Sequence, residues 1–215
     1  LRNFGFGQKT GIDSPGETSG SLSNYTAWSN MDTGAISFGH GVSVSAIQMV
    51  TAVSAIANDG ILMKPYIVQE IVNQNDHPVK RFKPQEIRRA ISARTAKIVK
   101  NIMKTVITEG GTGVNAALDG YSVCGKTGTS RKLDETGQYS HNSHTASFIG
   151  FAPAEKPEIA ILVVVDEPKE KYYGGIVAAP VFKQIAQQTL NYLNVPPDDS
   201  DTTKFRVFLG REANG

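Results

Sequence analysis

Hydrophobic positions along the chain follow two periods. Between residues 43 and 57, Ile47, Val50, Val53 and Ile56 or Ala57 recur at helical spacing, with Ser43 or Ser45 as cap and Asn58, Asp59 and Gly60 as stop. Over 93 to 109, behind Ser92 and ahead of Gly110 and Gly111, the residues Ile98, Val99, Ile102, Met103, Val106 and Ile107 take one helical face and Lys97, Lys100 and Lys104 the other. A third helix over 178 to 194 opens near Pro180, which a first turn tolerates, and is expected to bury Val181, Phe182, Ile185, Ala186, Leu190 and Leu193. Strand patterning falls at 66 to 72, 78 to 82, 121 to 129, 145 to 151 and 159 to 165. The first two are spaced as a hairpin across 73 to 76, and the last two are joined by a short turn at 153 to 157 and so should pair antiparallel. Residues 5 to 24 have the Gly, Pro and Ser content of a loop, and 196 to 215, opening "PPDDSDTTK", reads as linker or tail.

These elements predict an α+β fold, an antiparallel sheet of about five strands flanked by the three helices. With 40% hydrophobic and 20% charged residues, the 215-residue chain has the composition of one globular domain or part of one. A net charge of +2 and the lack of a basic run with interleaved aromatics leave no electrostatic case for a nucleic-acid partner. The single cysteine, Cys124, excludes an internal disulfide and cannot build a zinc site alone; alternation with Val123 makes it a buried strand residue. His141 and His144 lack further ligands at matching spacing and read as solvated loop histidines, so no metal site is expected. No stretch approaches the ~20 apolar residues that span a bilayer. The opening "LRNFGFG", with no start methionine, reads as a chain entered in mid-element, a piece of something longer.

Candidate chemistry centres on "GYSVCGKTGTS", residues 120 to 130, which fits two motifs. From Gly120 the letters satisfy G-x-x-x-x-G-K-T, a phosphate-binding loop, and the apolar run from 159 ends in Asp166 as a magnesium-binding strand would. Such a loop needs a buried strand before it and a helix after it, whereas Gly-rich and polar residues flank this one. From Lys126 the letters spell K-T-G-T, a signature of serine acyl transferases acting on peptidoglycan. In an extended segment Thr127 and Thr129 project to one side and Lys126 to the other, and Gly128 leaves room for a ligand backbone. An earlier copy, Lys9-Thr10-Gly11, lies in turn sequence without a strand to hold it. Gly110 to Gly113 reads as a turn closing a helix, and Tyr172 to Gly175 either lines the far end of a cleft or is an ordinary exposed loop.

The blocks "FGFGQKTGIDSPGE", "FGHGVSVSAIQMVTAVSAIANDGILMKPYIV", "VITEGGTGVNAALDGYSVCGKTGTS" and "HTASFIGFAPAEKPEIAILVVVDEP" resemble, in order, class B penicillin-binding proteins, the D,D-transpeptidases of bacterial cell division and elongation. The likeness runs over residues 1 to 195 and implies the C-terminal part of a transpeptidase domain of the penicillin-binding protein and serine β-lactamase-like fold, its helical lobe incomplete. It implies acyl transfer through a serine ester without metal or organic cofactor. Lys126 would support the proton network, Thr127, with Gly128 beside it, would hold the carboxylate of a stem peptide or a β-lactam, and the Thr129 N–H would form half of the oxyanion hole. The implied partners are peptidoglycan stem peptides, β-lactam antibiotics and other cell-wall synthesis proteins. The implied location is the bacterial cell envelope at the outer face of the cytoplasmic membrane, held by an N-terminal helix absent from this chain.

The family's nucleophile stands in S-x-x-K, which this sequence lacks, and its S-x-N precedes the K-T-G, whereas Ser140-His141-Asn142 follows it and reads as coincidence in a polar loop. Both motifs are therefore expected in an upstream part of the same protein, and this chain alone is expected to be inactive. A nucleotide-binding protein and a catalytically silent module of the same fold stand as alternatives.

Overall fold

The computed structural model describes residues 1 to 198 apart from 134, 135 and 137. It divides into two compact units, Leu1–Lys97 and the residues from Ile98 onward.

In the first unit, β1 (Ser21–Leu22) pairs antiparallel with β2 (Val42–Ser43) around helix α1 (Asn30–Ser37). Helix α2 (Ala46–Ala57) follows, then β3 (Ile61–Met63), the hairpin of β4 (Glu70–Val72) and β5 (Pro78–Arg81), and β6 (Glu86–Arg89), which returns to pair with β3. The expected hairpin across 73 to 76 is thus present. Ser45 caps α2 in a capping box with Gln48, whose buried side-chain amide also donates to the Gln8 and Ser19 carbonyls at 2.7 and 2.9 Å. That buried amide fastens the Gly-rich opening segment to the helix, since each of its polar atoms needs a partner once removed from water.

Helix α3 (Ala93–Thr105) leads into the second unit, where β7 (Cys124–Leu133), β8 (Tyr139–Ala152) and β9 (Ile159–Asp166) form a three-stranded antiparallel sheet in chain order. The short helix α4 (Gly174–Val177) and the longer α5 (Ala179–Tyr192) close the unit. Phe148 of β8 and Phe182 of α5 are fully buried with ring centroids 4.8 Å apart, in a core shared with Val123, Ala152, Ala186 and Leu190. The α+β class with antiparallel pairing is as expected. Where a sheet of about five strands is anticipated, the largest sheet among the described residues has three and the other strands pair two by two. No helix of the described residues is long and apolar enough to cross a membrane.

Three expectations are corrected. Helix α3 does not bury its whole aliphatic stripe: Ile98 and Ile102 are 52% and 61% exposed, whereas Lys100 is only 9% exposed. Its Lys100 carbonyl accepts from the Cys124 thiol at 3.3 Å and its Lys104 ammonium pairs with Glu155, so the face bearing these lysines is the one laid on β7. In α5, Phe182, Ala186 and Leu190 are buried at four-residue spacing, but Val181, Ile185 and Leu193 are exposed. The polar stretch 139 to 144 is strand: the β7–β8 hairpin reaches Leu133↔Tyr139, which places Ser140, His141, Asn142 and His144 in β8 rather than in a loop. An exposed hairpin needs backbone pairing and not an apolar period, so hydrophobicity alone misses it.

Of residues 196 to 215, those from 199 on lie outside the described residues. Pro196 and Pro197 carry the chain back to the base of β7, where the Asp198 N–H donates to the Gly120 carbonyl at 2.9 Å and its carboxylate accepts from the Ser122 N–H at 2.5 Å.

Candidate active site

Strand β7 sets the site. It pairs only with β8 among the described residues, with Lys126↔Ile149, Thr127↔Phe148, Gly128↔Ser147 and Thr129↔Ala146 in register, so its other edge is open. Residues two apart on a strand share a face, and α4 reports which one Thr127 and Thr129 occupy. The Gly174 N–H donates to Thr129 Oγ1 at 3.3 Å, and a Cβ built on Gly175 would stand 3.4 Å from Thr127 Cγ2. Both side chains therefore lie under α4, Thr129 by its hydroxyl and Thr127 by its methyl group. Lys126 shares the opposite face with Cys124, is exposed, and donates from Nζ to the Thr127 carbonyl at 2.7 Å. Among the described residues it pairs with no carboxylate, so its charge is available to an incoming anion.

Gly128 sits against Ser147: a Cβ there would be 2.4 Å from Ser147 Oγ. The space expected for a ligand backbone is occupied, on that face, by the neighbouring strand's side chain. Thr127 Oγ1 meets Thr112 Oγ1 at 3.0 Å, a contact for which the sequence holds no signal, because Thr112 lies in the turn after α3, in a glycine-rich run. The glycines of α4 are required by close approach. A Cβ on Gly174 would fall 2.1 Å from the Ser147 carbonyl oxygen, and one on Gly175 2.0 Å from that of Thr112.

The early copy of the triplet is used differently. Thr10 donates its N–H and its hydroxyl to Glu17 Oε1, each at 2.5 Å, and the Gly11 N–H donates to Glu17 Oε2 at 3.1 Å. Its donors are consumed by an internal carboxylate, whereas among the described residues the Thr127 hydroxyl meets only the Thr112 hydroxyl. The phosphate-loop reading fails on geometry. Residues 124 to 133 are strand, so Lys126 is followed by extended chain and not by a helix offering its N-terminal N–H groups.

The other sequence candidates have plain accounts. Cys124 is fully buried, and burial pushes its thiol up to about 11, which keeps it protonated and unreactive. His144 stacks on Tyr172 at 4.1 Å, and the Tyr173 ring lies tilted against Tyr172 at 4.6 Å, so the 172 to 175 segment carries an aromatic row beside the α4 glycines. Lys132 bridges Asp166 and Glu167 at 3.0 and 2.8 Å. The hydrogen bonds to Glu167 and then Asp166 hold its ammonium above the usual range and, in return, Asp166 below it.

The penicillin binding protein transpeptidase domain matches residues 1–187. Stage V sporulation protein D of Bacillus subtilis is 42% identical over 206 residues, 95% of this chain and 32% of that protein. The probable peptidoglycan D,D-transpeptidase PenA of Neisseria gonorrhoeae is 39% identical over 195 residues, 90% of this chain and 32% of that one. Among solved structures, penicillin-binding protein 3 of Mycobacterium tuberculosis complexed with aztreonam superposes with a TM-score of 0.84 at 33% identity, over 92% of this chain and 46% of that one. The chain thus spans 32% of the length of these two curated relatives. A strand bearing K-T-G-T at an open sheet edge, in a sequence matched by one domain profile over residues 1–187, places the chain in the penicillin-binding protein transpeptidase family.

Proposed function

We propose that this chain supplies the K-T-G wall of a peptidoglycan D,D-transpeptidase, which cross-links stem peptides through a serine acyl-enzyme and is acylated by β-lactams. The observation that carries the reading is β7 itself: two threonines on one face, a lysine with no carboxylate partner among the described residues on the other, and an open edge along which an extended peptide can lie. Lys126 supplies positive charge beside the reacting centre. Thr127 donates to the substrate carboxylate beside Gly128, and the Thr129 N–H contributes to the oxyanion hole, where a preorganised donor needs no reorganisation as charge develops. The serine nucleophile belongs to an S-x-x-K motif, which these 215 residues do not contain. Residues 1 to 195 are accordingly read as one part of the transpeptidase domain, with 196 to 215 a tail, and the protein's place of work as the bacterial cell envelope, outside the cytoplasmic membrane, where stem peptides are joined.

Labelling with a fluorescent penicillin tests the reading. The full-length protein should be labelled stoichiometrically and the isolated 215-residue chain not at all. Labelling of the isolated chain would place the nucleophile within it. A full-length protein that stays unlabelled would be a silent module of the same fold.

A further inference from the structure

We infer that Thr112 is a positioning residue that sets which way the Thr127 hydroxyl points its proton, and thereby the preference for substrates ending in a carboxylate; this rests on the proposed carboxylate role of Thr127. The two Oγ1 atoms are 3.0 Å apart, and neither hydroxyl has another hydrogen-bond partner among the described residues. One of the two must donate. If Thr127 donates to Thr112, its single proton is spent and it turns lone pairs toward an incoming anion. If Thr112 donates to Thr127, the Thr127 proton is free for the carboxylate. An arriving anion selects the second arrangement, because a chain from hydroxyl to hydroxyl to carboxylate polarises cooperatively and ends on a charge.

For Thr112 to do this its place must be fixed, and the surrounding turn is held from three sides. The Gly111 N–H donates to the Thr108 carbonyl at 2.8 Å and the Gly113 N–H to that of Val106 at 2.9 Å. The Asn115 side chain donates to the Gly175 carbonyl at 2.8 Å. The Thr112 carbonyl itself lies against Gly175, where no side chain could stand. The turn thus presents one hydroxyl to β7 and clamps the start of α4 on the same face. A valine at 112 keeps the shape and removes only the hydroxyl. A serine keeps the hydroxyl and removes only the methyl group.

The test measures second-order acylation of the full-length protein by a β-lactam and by its methyl ester, and takes the ratio of the two rates. Thr112→Val should lower the carboxylate-to-ester ratio about three- to tenfold, the worth of one neutral hydrogen bond. Thr112→Ser should restore most of the ratio, and Thr112→Val should have no further effect on the ratio in a Thr127→Val background. Equal losses on acid and ester, or additive effects of the two valines, would mean that Thr112 only holds the turn, and would overturn the inference. A ratio unmoved by Thr127→Val alone would instead refute the carboxylate role of Thr127.

Discussion

At residue 175 there is no room for a methyl group. Its Cβ would stand 2.0 Å from the Thr112 carbonyl oxygen, a backbone atom that can move only with its turn. Gly175→Ala should therefore destabilise the protein by about 1 to 3 kcal/mol, as forced overpacking does, and displace either α4 or Thr112 from β7. Gly128→Ala is the informative contrast. Its Cβ would meet Ser147 Oγ, the far end of a side chain that can rotate, with Ser147 Cβ at a comfortable 3.8 Å. Thermal unfolding of the two variants should rank Gly175→Ala well below Gly128→Ala, and the reverse order would mean that α4 is not seated on Thr112. None of this is legible in the sequence. Gly174 and Gly175 read there as loop glycines, because their constraint comes from backbone atoms 27 and 63 residues away, at Ser147 and Thr112.

At the scale of elements, hydrophobic period located α2, α3, α5 and the buried strands but misjudged which faces pack. The stripe of α3 was visible in Ile98 and Ile102, yet the face laid on Cys124 is the one bearing Lys100, since a lysine stem can cover apolar surface as an isoleucine does. Helix α1 gives no apolar stripe in the sequence, and its one local signal is polar, the capping box of Ser29 and Asp32. The opening segment, read as loop, is tied down by carboxylates as well as by the Gln48 amide. Asp13 accepts from the Val68 and Ile67 N–H groups, which hold it below its ordinary 3.8. Glu17 is raised by partial burial but lowered further by the Thr10 hydroxyl and by the Thr10 and Gly11 N–H groups, and ends below its ordinary 4.5. Both folded-state values are depressed, so the stabilisation is complete above the ordinary carboxylate values and is lost as pH falls through the folded ones. The melting temperature should decline on acidification below about pH 4, and the Asp13→Asn, Glu17→Gln double variant should decline less steeply over the same range. Parallel curves would mean that these carboxylates do not hold the segment.

For the whole molecule, the succession of blocks along the chain makes the family readable, and the flanks of K-T-G exclude a phosphate loop and leave it a strand, which it is. Its surroundings were not readable, since Thr112 and the α4 glycines reach β7 only through the tertiary fold. Of the two K-T-G triplets, the proposed function assigns the second, and not the first, to the acylation site. The sequence offers its own control, because Lys9 and Lys126 occupy the same triplet, one beside a turn whose donors serve Glu17 and the other on an open strand edge. The decisive measurement is the second-order rate of acylation by one β-lactam in the full-length protein, for variants whose thermal transitions show them folded. Lys126→Ala should slow acylation ~100- to 1,000-fold, about what an oxyanion donor contributes. Thr127→Val should cost about 1.5 to 3 kcal/mol, the worth of a hydrogen bond to a charged group. Lys9→Ala should leave the rate close to that of the unaltered protein. Equal losses at Lys9 and Lys126, or no loss at Lys126, would contradict the account and move the site off β7.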